Sequence, residues 1–285
     1  MGDKIRRREP IERGLWRLLD RDIEEAFAEL SGNGGREERI HRARQKLKRV
    51  RSLVRVLKPA IGEKASIAKE MLSGAARLLA RARDADAAAA SARGLLSAAP
   101  DSRAIGLDKV VEEFDRRANE AHSQSTPIRE VEKRLGRART MLRDAARDGG
   151  NGTRLLTHAL GRSYRKGRKA MRRAETSLAT PDLHRWRKSV KDLWHLLRLA
   201  RKHLPRRAER DAADLARLAE ALGLDHDHAM LAERLALSPS ADPALMRQLA
   251  LIAQERRRLE KEAFAIGARL YRRSPGGWAR KVKLR

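Results

Sequence analysis

Apolar residues along this chain recur at the three-and-four spacing of helices almost everywhere, and the alternation that marks half-buried strands is missing. In helical projection Leu47, Val50, Leu53, Val54 and Leu57 share one side, and Trp186, Val190, Leu193, Leu196 and Leu197 share one side further on. Breakers at 31–35, Pro59, Ala99-Pro100, 123–127, 148–152, Thr180-Pro181, Pro205, 238–243 and 274–277 bound about ten helical stretches. The pattern predicts an all-α fold.

The chain also repeats itself. His41-Arg42-x-Arg44-x-x-x-Lys48 returns as His184-Arg185-x-Arg187-x-x-x-Lys191, 143 residues on. The same displacement carries Leu53 onto Leu196, Arg55 onto Arg198, Leu72 onto Leu215, Leu79 onto Leu222 and Asp84 onto Asp227 without a gap. Register held over that span marks an internal duplication. Gly149-Gly150-Asn151-Gly152 is the natural joint, leaving a first repeat over 10–148, a second over 153–272 and a basic tail over 274–285. Because the joint is short, the expectation is one pseudo-twofold molecule over 1–285 rather than two beads on a linker. It would pack two four-to-five-helix bundles around a basic central groove or pore.

The repeated positions carry charge as well as core. At about 100° per residue, His41, Arg44, Lys48, Arg51 and Arg55 fall within an arc of roughly 80°, opposite the apolar side. His184, Arg187, Lys188, Lys191, His195, Arg198 and Lys202 fall within roughly 100°. Solvated helix faces normally mix signs to form pairs one turn apart. These faces hold no carboxylate, and Asp192, the only acid between His184 and Lys202, lies off the stripe. Like charges one turn apart cost a few tenths of a kcal/mol per pair, roughly, so the pattern points to an anionic partner. Arg165, Lys166, Arg168, Lys169 and Arg172 form a further cationic cluster on the preceding helix, a candidate second wall.

Composition agrees and narrows the partner. The formal charge is +28 and aromatic residues make up 3%. That charge selects a polyanion, whether nucleic acid, anionic membrane or inorganic phosphate polymer. So few aromatic rings argue against the stacking platforms of single-stranded nucleic-acid binders. Cys is absent, which removes disulfide and thiolate chemistry. The charged N-terminus lacks an apolar signal core and no stretch approaches a membrane span, so a cytoplasmic protein is the simplest expectation.

The segment His-x-x-Arg-x-x-x-Lys-Arg-x-Arg at 41–51, with Leu79-Ala80-Arg81-Ala82-Arg83-Asp84, resembles the first half of a CHAD domain. His184-x-x-Arg187-Lys188-x-x-Lys191 and Leu222-Gly223-x-x-x-Asp227 resemble its second half, and the likeness covers about residues 10 to 272. The resemblance implies a helical duplication with a basic central surface that binds inorganic polyphosphate, often at polyphosphate granules. By motif position it nominates His41, Arg44, Lys48, Arg49, Arg51, His184, Arg187, Lys188 and Lys191 as ligand residues. The stripes add Arg55, Arg198 and Lys202, and the second wall adds Arg165, Arg168, Lys169 and Arg172. Ala80 stands where the pattern has Gly and His226 where the first half has Arg83, both expected to lie off the basic stripes. Polyphosphate suits these residue types, since it has charge at regular intervals and no bases to read; Arg grips two oxygens and Lys acts as a point charge.

Thr180 and Pro181 read as N-cap and first helical residue, placing His184 in the first turn, where free N–H groups favour an anion. That setting lowers the imidazole pKa and a bound phosphate raises it. His41 and His184 are therefore expected to contact phosphate and to tighten binding as the pH falls through about 6 to 7. Asp84 and Asp227 read as helix caps or partners of buried Arg rather than bridges to a divalent ion. Asp225-His226-Asp227-His228 points around the helix circumference, so neither a metal nor a cofactor is expected. Phosphate loops with Lys-Ser/Thr, His-Glu-x-x-His, a nucleophile elbow and a Glu-x-Glu-x-Lys signature are all missing, and the stripes have no acids to hold a catalytic metal. The expectation is a non-catalytic binding module. The competing reading is a protein that grips nucleic-acid phosphate backbones without reading sequence, for which the basic end Arg280-Lys281-x-Lys283-x-Arg285 would serve. An interfacial role on anionic lipid would rest on Trp278 and Leu284 alone.

Overall fold

The computed structural model describes residues 4–33, 35–79, 112, 116, 128–146, 150–236 and 243–284. Among them are eight α-helices and no strand: α1 (Ile11–Ser31), α2 (Arg36–Leu78), α3 (Ile128–Ala145), α4 (Gly152–Ser177), α5 (Thr180–Ala200), α6 (Glu209–Ala236), α7 (Pro243–Leu270) and α8 (Pro275–Lys281). Two short 3-10 turns, Arg201–His203 and Arg206–Ala208, join α5 to α6. The fold is all-α. The chain divides into two compact units, one of Glu12–Asn151 and one of Met1–Ile11 with Gly152–Arg285.

In the first unit α3 shows how the pattern works. Val131, Leu135, Ala138, Leu142 and Ala145 follow steps of four, three, four and three, and all are fully buried. That is one stripe of a 3.6-residue helix. Its leucines each contribute about 1.5–3 kcal/mol by leaving water. Helix α1 buries Leu15, Leu18, Leu19, Ile23 and Leu30 and spends its other face on acids. Asp20 accepts from Arg139 Nε and Arg143 Nη2 of α3, both at 2.9 Å. Led by the bond from Arg143, and against some burial, these pairs draw its carboxyl down to about 2. The end of α1 is closed by Arg39 Nη1, which donates to the carbonyls of Leu30 (3.1 Å) and Gly32 (2.9 Å). A cation there satisfies carbonyls that have no partner within the helix.

A break was expected at Pro59. Helix α2 instead keeps Pro59 inside, and the backbone leaves helical values at Gly62, with φ 51° and ψ −123°. Proline removes one hydrogen bond and crowds the carbonyl four residues back, but the reversal itself needs a residue that tolerates that φ/ψ pair, which is glycine.

In the second unit Trp186, Val190, Leu193 and Leu197 of α5 pack with Leu215, Leu218 and Leu222 of α6 and Leu259, Ile266 and Leu270 of α7 in one core. Gly267 is required by close approach, since a Cβ there would stand 2.7 Å from the Trp186 ring. The N-terminal segment belongs to this unit: Ile5 is fully buried and its N–H donates to the Leu199 carbonyl at 3.2 Å. His203 Nε2 donates to the Arg6 carbonyl at 2.9 Å.

The C-terminal residues are not a loose basic tail. Ser274 caps α8 by accepting from Gly277 N at 3.2 Å. Trp278 is buried, stacks on Tyr164 with centroids 4.4 Å apart, and donates Nε1 to Asp211 Oδ2 at 2.9 Å. Lys281 Nζ reaches the other Asp211 oxygen at 2.6 Å, and Leu284 is buried. Trp278 and Leu284 are core residues, so they offer no apolar face to a lipid surface.

Candidate functional site

Helix α5 carries the second copy of the motif, and its start differs from the sequence expectation. The N-cap is Ala179 (φ −76°, ψ 135°), whose carbonyl accepts from Asp182 N at 2.9 Å and Leu183 N at 3.1 Å. Thr180 and Pro181 are already helical, so His184 stands beyond the first turn and its N–H is not one of the free donors of the helix end. The negative charge at this end is Asp182, which is buried and accepts from Ser177 Oγ, Arg173 Nε and Arg185 Nη1, each at 2.9 Å. An aspartate in the first turn complements the dipole by itself.

The surroundings of His184 come from α6 instead. Its ring lies 4.3 Å from that of His226, centroid to centroid, with the planes tilted by 38°. The Arg187 guanidinium rests against Gly223, with Nε and Nη2 both 3.8 Å from where a Cβ would stand. The packing of α5 on α6 thus brings His184-x-x-Arg187-Lys188 and Leu222-Gly223-x-x-x-Asp227 together. His226, expected off the stripe, is part of the cluster. Register held the signal: the first copy has Arg83 at that place, so one basic side chain replaces another in the sequence.

Burial holds the His184 imidazole down to about 4, and the charges of Lys188, His226 and Arg187 push the same way. His226 is lowered by burial and then Arg187, with Asp227 and Asp225 pulling it back. Nδ1 of both rings and Nε of Arg187 are buried without a hydrogen-bond partner. Buried polar nitrogens are nearly always satisfied. Three such nitrogens beside the Arg187 and Lys188 charges suit the oxygens of an anion, which would raise both imidazole pKa values by favouring the charged form.

Lys188 of this cluster is exposed, and beyond it Arg198 and Lys202 are exposed and Lys191 half-buried. The Arg198 guanidinium lies 5.4 Å from the centroid of the Trp194 ring. On α4, which packs on α5, Arg165, Lys169 and Arg172 are exposed. Arg168 differs: its Nε donates to the Tyr271 carbonyl at 3.1 Å and closes the end of α7.

The first copy lies on α2. His41 Nε2 sits 2.6 Å from the amide nitrogen of Gln45, Lys48 and Arg55 are exposed, and Arg44 and Arg51 are half-buried. Arg49, nominated by motif position alone, turns the other way. Its Nη2 donates to Asp22 Oδ1 at 2.9 Å, and Asp22 is fully buried. Burial pushes that carboxyl up despite Arg49 and Arg21. Alongside, Arg42 pairs with Glu29 at 2.7 Å and Lys46 pairs with Glu25. Arg49 holds α2 to α1.

The expectation for the aspartates also needs correction. Asp227 lies exposed in the interior of α6 and caps nothing. The aspartate that partners an arginine is the buried Asp225, which accepts from the half-buried Arg256 Nε at 2.9 Å while Arg256 Nη2 donates to Thr180 Oγ1 at 3.3 Å. Ala80, Arg83 and Asp84 lie outside the described residues. Among the described residues no three of His, Cys, Asp or Glu are grouped to hold a metal ion, and no helix is long and apolar enough to cross a membrane.

Residues 17–236 match the family model described as the CHAD domain. The crystal structure of the CHAD domain from the plant Ricinus communis is similar at a TM-score of 0.67 and 17% identity, covering 96% of this chain and 94% of that one. At that identity the likeness shows a shared fold. No curated protein matches the chain.

Proposed function

The chain belongs to the CHAD domain family, and on that premise we propose that it binds inorganic polyphosphate through its two cationic helix stripes, as a binding module without catalytic activity. The observation that carries the reading is the cluster on α5 and α6. Arg187, Lys188, His184 and His226 converge there with buried nitrogens that lack partners, on a stripe without a carboxylate. Arg187 supplies a fork for two phosphate oxygens, Lys188 a point charge, and the imidazoles take up protons as the anion arrives. The stripe continues through Lys191 and Arg198, so a flexible chain of phosphates meets a cation about every turn. On α2 the equivalent run is His41, Arg44, Lys48, Arg51 and Arg55, and Arg49 leaves the proposed ligand set for its structural role with Asp22. The non-catalytic reading rests on the absence of acids from the stripes, because phosphoanhydride hydrolysis needs carboxylates to hold a divalent ion beside the substrate. Association with polyphosphate granules follows from the same reading.

The test is competition. Labelled long-chain polyphosphate is set against duplex DNA and RNA at equal phosphate concentration across a salt series. The proteins compared are the parent and a variant carrying His41→Ala, Arg44→Ala, His184→Ala and Arg187→Ala. The reading expects polyphosphate to win by orders of magnitude at physiological salt and the variant to lose it. Equal competition with a steep salt slope and an indifferent variant would make the protein a general phosphate-backbone binder.

A further inference from the structure

The first residues of the chain close on the end of α5. Ile5 is fully buried with its N–H on the Leu199 carbonyl at 3.2 Å, and the Arg6 carbonyl accepts from His203 Nε2 at 2.9 Å. Residues 5 and 6 are thus bonded to the chain on either side of Arg201 and Lys202. From Arg6 the backbone reverses in a β-turn: Glu9 N donates to the Arg6 carbonyl at 3.1 Å, and Arg6 N donates to Glu9 Oε2 at 3.0 Å. Arg7 and Arg8 are the corner residues of that turn. Both are exposed, as are Arg201 and Lys202, and among the described residues none of the four forms an ion pair.

The repeat does not ask for these charges. At the displacement that superposes the two motifs, Arg6-Arg7-Arg8 fall on Gly149-Gly150-Asn151, so at the equivalent place the second repeat has two glycines and an asparagine. Cations do complement the carbonyl end of a helix, but Arg198 already stands in the last turn of α5, and Arg201 and Lys202 follow it. Two further arginines fixed on a closed turn add repulsion there unless an anion is present.

We propose that this turn holds the far part of a long polyphosphate chain. Arg7 and Arg8, with Arg201 and Lys202, take the phosphates that run past the end of α5, which makes chain length a determinant of specificity in this unit. The proposal rests on polyphosphate being the ligand of the α5 stripe. From His184 to Ala200 the helix runs about 24 Å, at a rise of about 1.5 Å per residue. Tripolyphosphate is too short to reach both places. A long chain reaches both, and once held at one it meets the other at a high effective concentration. The Ile5 anchor and the backbone bonds fix the turn beforehand, so binding does not have to order it.

The experiment uses the full chain with labelled long-chain polyphosphate and with tripolyphosphate, at fixed salt and across a salt series. Arg7→Gln with Arg8→Gln should weaken long-chain binding by about tenfold and lower its salt slope by about one to two, while tripolyphosphate affinity stays within about twofold of the parent. Arg7→Lys with Arg8→Lys keeps the charge and should retain most of the affinity. Arg217→Gln with Arg272→Gln removes the same charge from two exposed arginines elsewhere in the unit and should bind as the parent does. A loss no greater than that of the Arg217 and Arg272 variant, or an equal loss for both chain lengths, would overturn the proposal. If the quadruple variant loses polyphosphate and the turn variant does not, the proposal alone falls. Duplex DNA competing equally with polyphosphate on the parent would bring down the polyphosphate reading and the proposal with it.

Discussion

Where α2 carries Arg49 against the buried Asp22, the same register on α5 carries Asp192, and where α2 places Gln45 beside His41, α5 places Lys188 beside His184. The stripes share their face and spacing, but their neighbours differ. Around the first copy the acids of α1 bind Arg42, Lys46 and Arg49, so much of that helix's charge is spent within its unit. Around the second, α6 supplies His226 and Gly223 and the buried acid, Asp225, is taken by Arg256. One motif thus does two kinds of work. Cations that meet acids serve the structure, as Arg185 does with Asp182 in the second copy too, while the proposal gives Arg187 and Lys188 to an anion.

The contrast can be broken most sharply at Arg49. Arg49→Ala leaves Asp22 with Arg21 as its ion-pair partner among the described residues and should destabilise the protein by about 2–3 kcal/mol in urea unfolding, with polyphosphate affinity unchanged. Asp192→Ala, at the matching register, should cost less than about 1 kcal/mol. An Arg49 variant that kept its stability and lost affinity would reverse the assignment. The bends come next. Gly62→Val forces a branched side chain into φ 51° and should cost about 1–3 kcal/mol, whereas Pro205→Ala should cost less than about 1 kcal/mol, both read from denaturant midpoints at constant slope.

Smaller effects sharpen the second copy. His226→Ala should weaken polyphosphate binding about tenfold at fixed salt, and His226→Arg, the residue type of the first copy, should retain it. Equal affinity for both variants would remove His226 from the site. The smallest effect is a titration. With His184 held at about 4 against an ordinary 6.5, the unfolded chain binds a proton that the folded chain does not over that interval. Stability should therefore fall as pH falls from 6.5 toward 4. A phosphate that raises the folded value should bind more tightly over the part of this range below the bound-state pKa, so the window expected for His184 extends lower than 6 to 7. Lys188→Gln, which copies Gln45, should raise the His184 pKa in an NMR titration by removing its largest charged perturber. No movement would leave burial with His226 and Arg187 as the causes.

The helical class and the two stripes were legible because a 3.6-residue period fixes which residues share a face, whatever packs against them. Arg49 was not, because nothing in the spacing of α2 tells that α1 delivers a buried carboxylate to that side. His226 was missed for a related reason. Its closeness to His184 arises from the crossing of α5 and α6, and in the sequence it registered only as a departure from Arg83. At Thr180 the residue type is a good cap, but Ser177 and Asp182 organise the turn one residue earlier. The bend expected at Pro59 appears at Gly62, which aligns with Pro205 in the second copy, so the register of the turns was in the sequence and the residue that makes each one was not.

The contact between Ile5 and Leu199 sets an order of events in biosynthesis. Residues 1–11 leave the ribosome before α5 does, yet their place in the Gly152–Arg285 unit does not exist until α5 has emerged. The Glu12–Asn151 unit can form its own contacts in the meantime, while Ile5 waits for a partner not yet made. The unit proposed to carry the better-tuned anion site is therefore the last to close, and the residues that close it were made before the whole of the other unit.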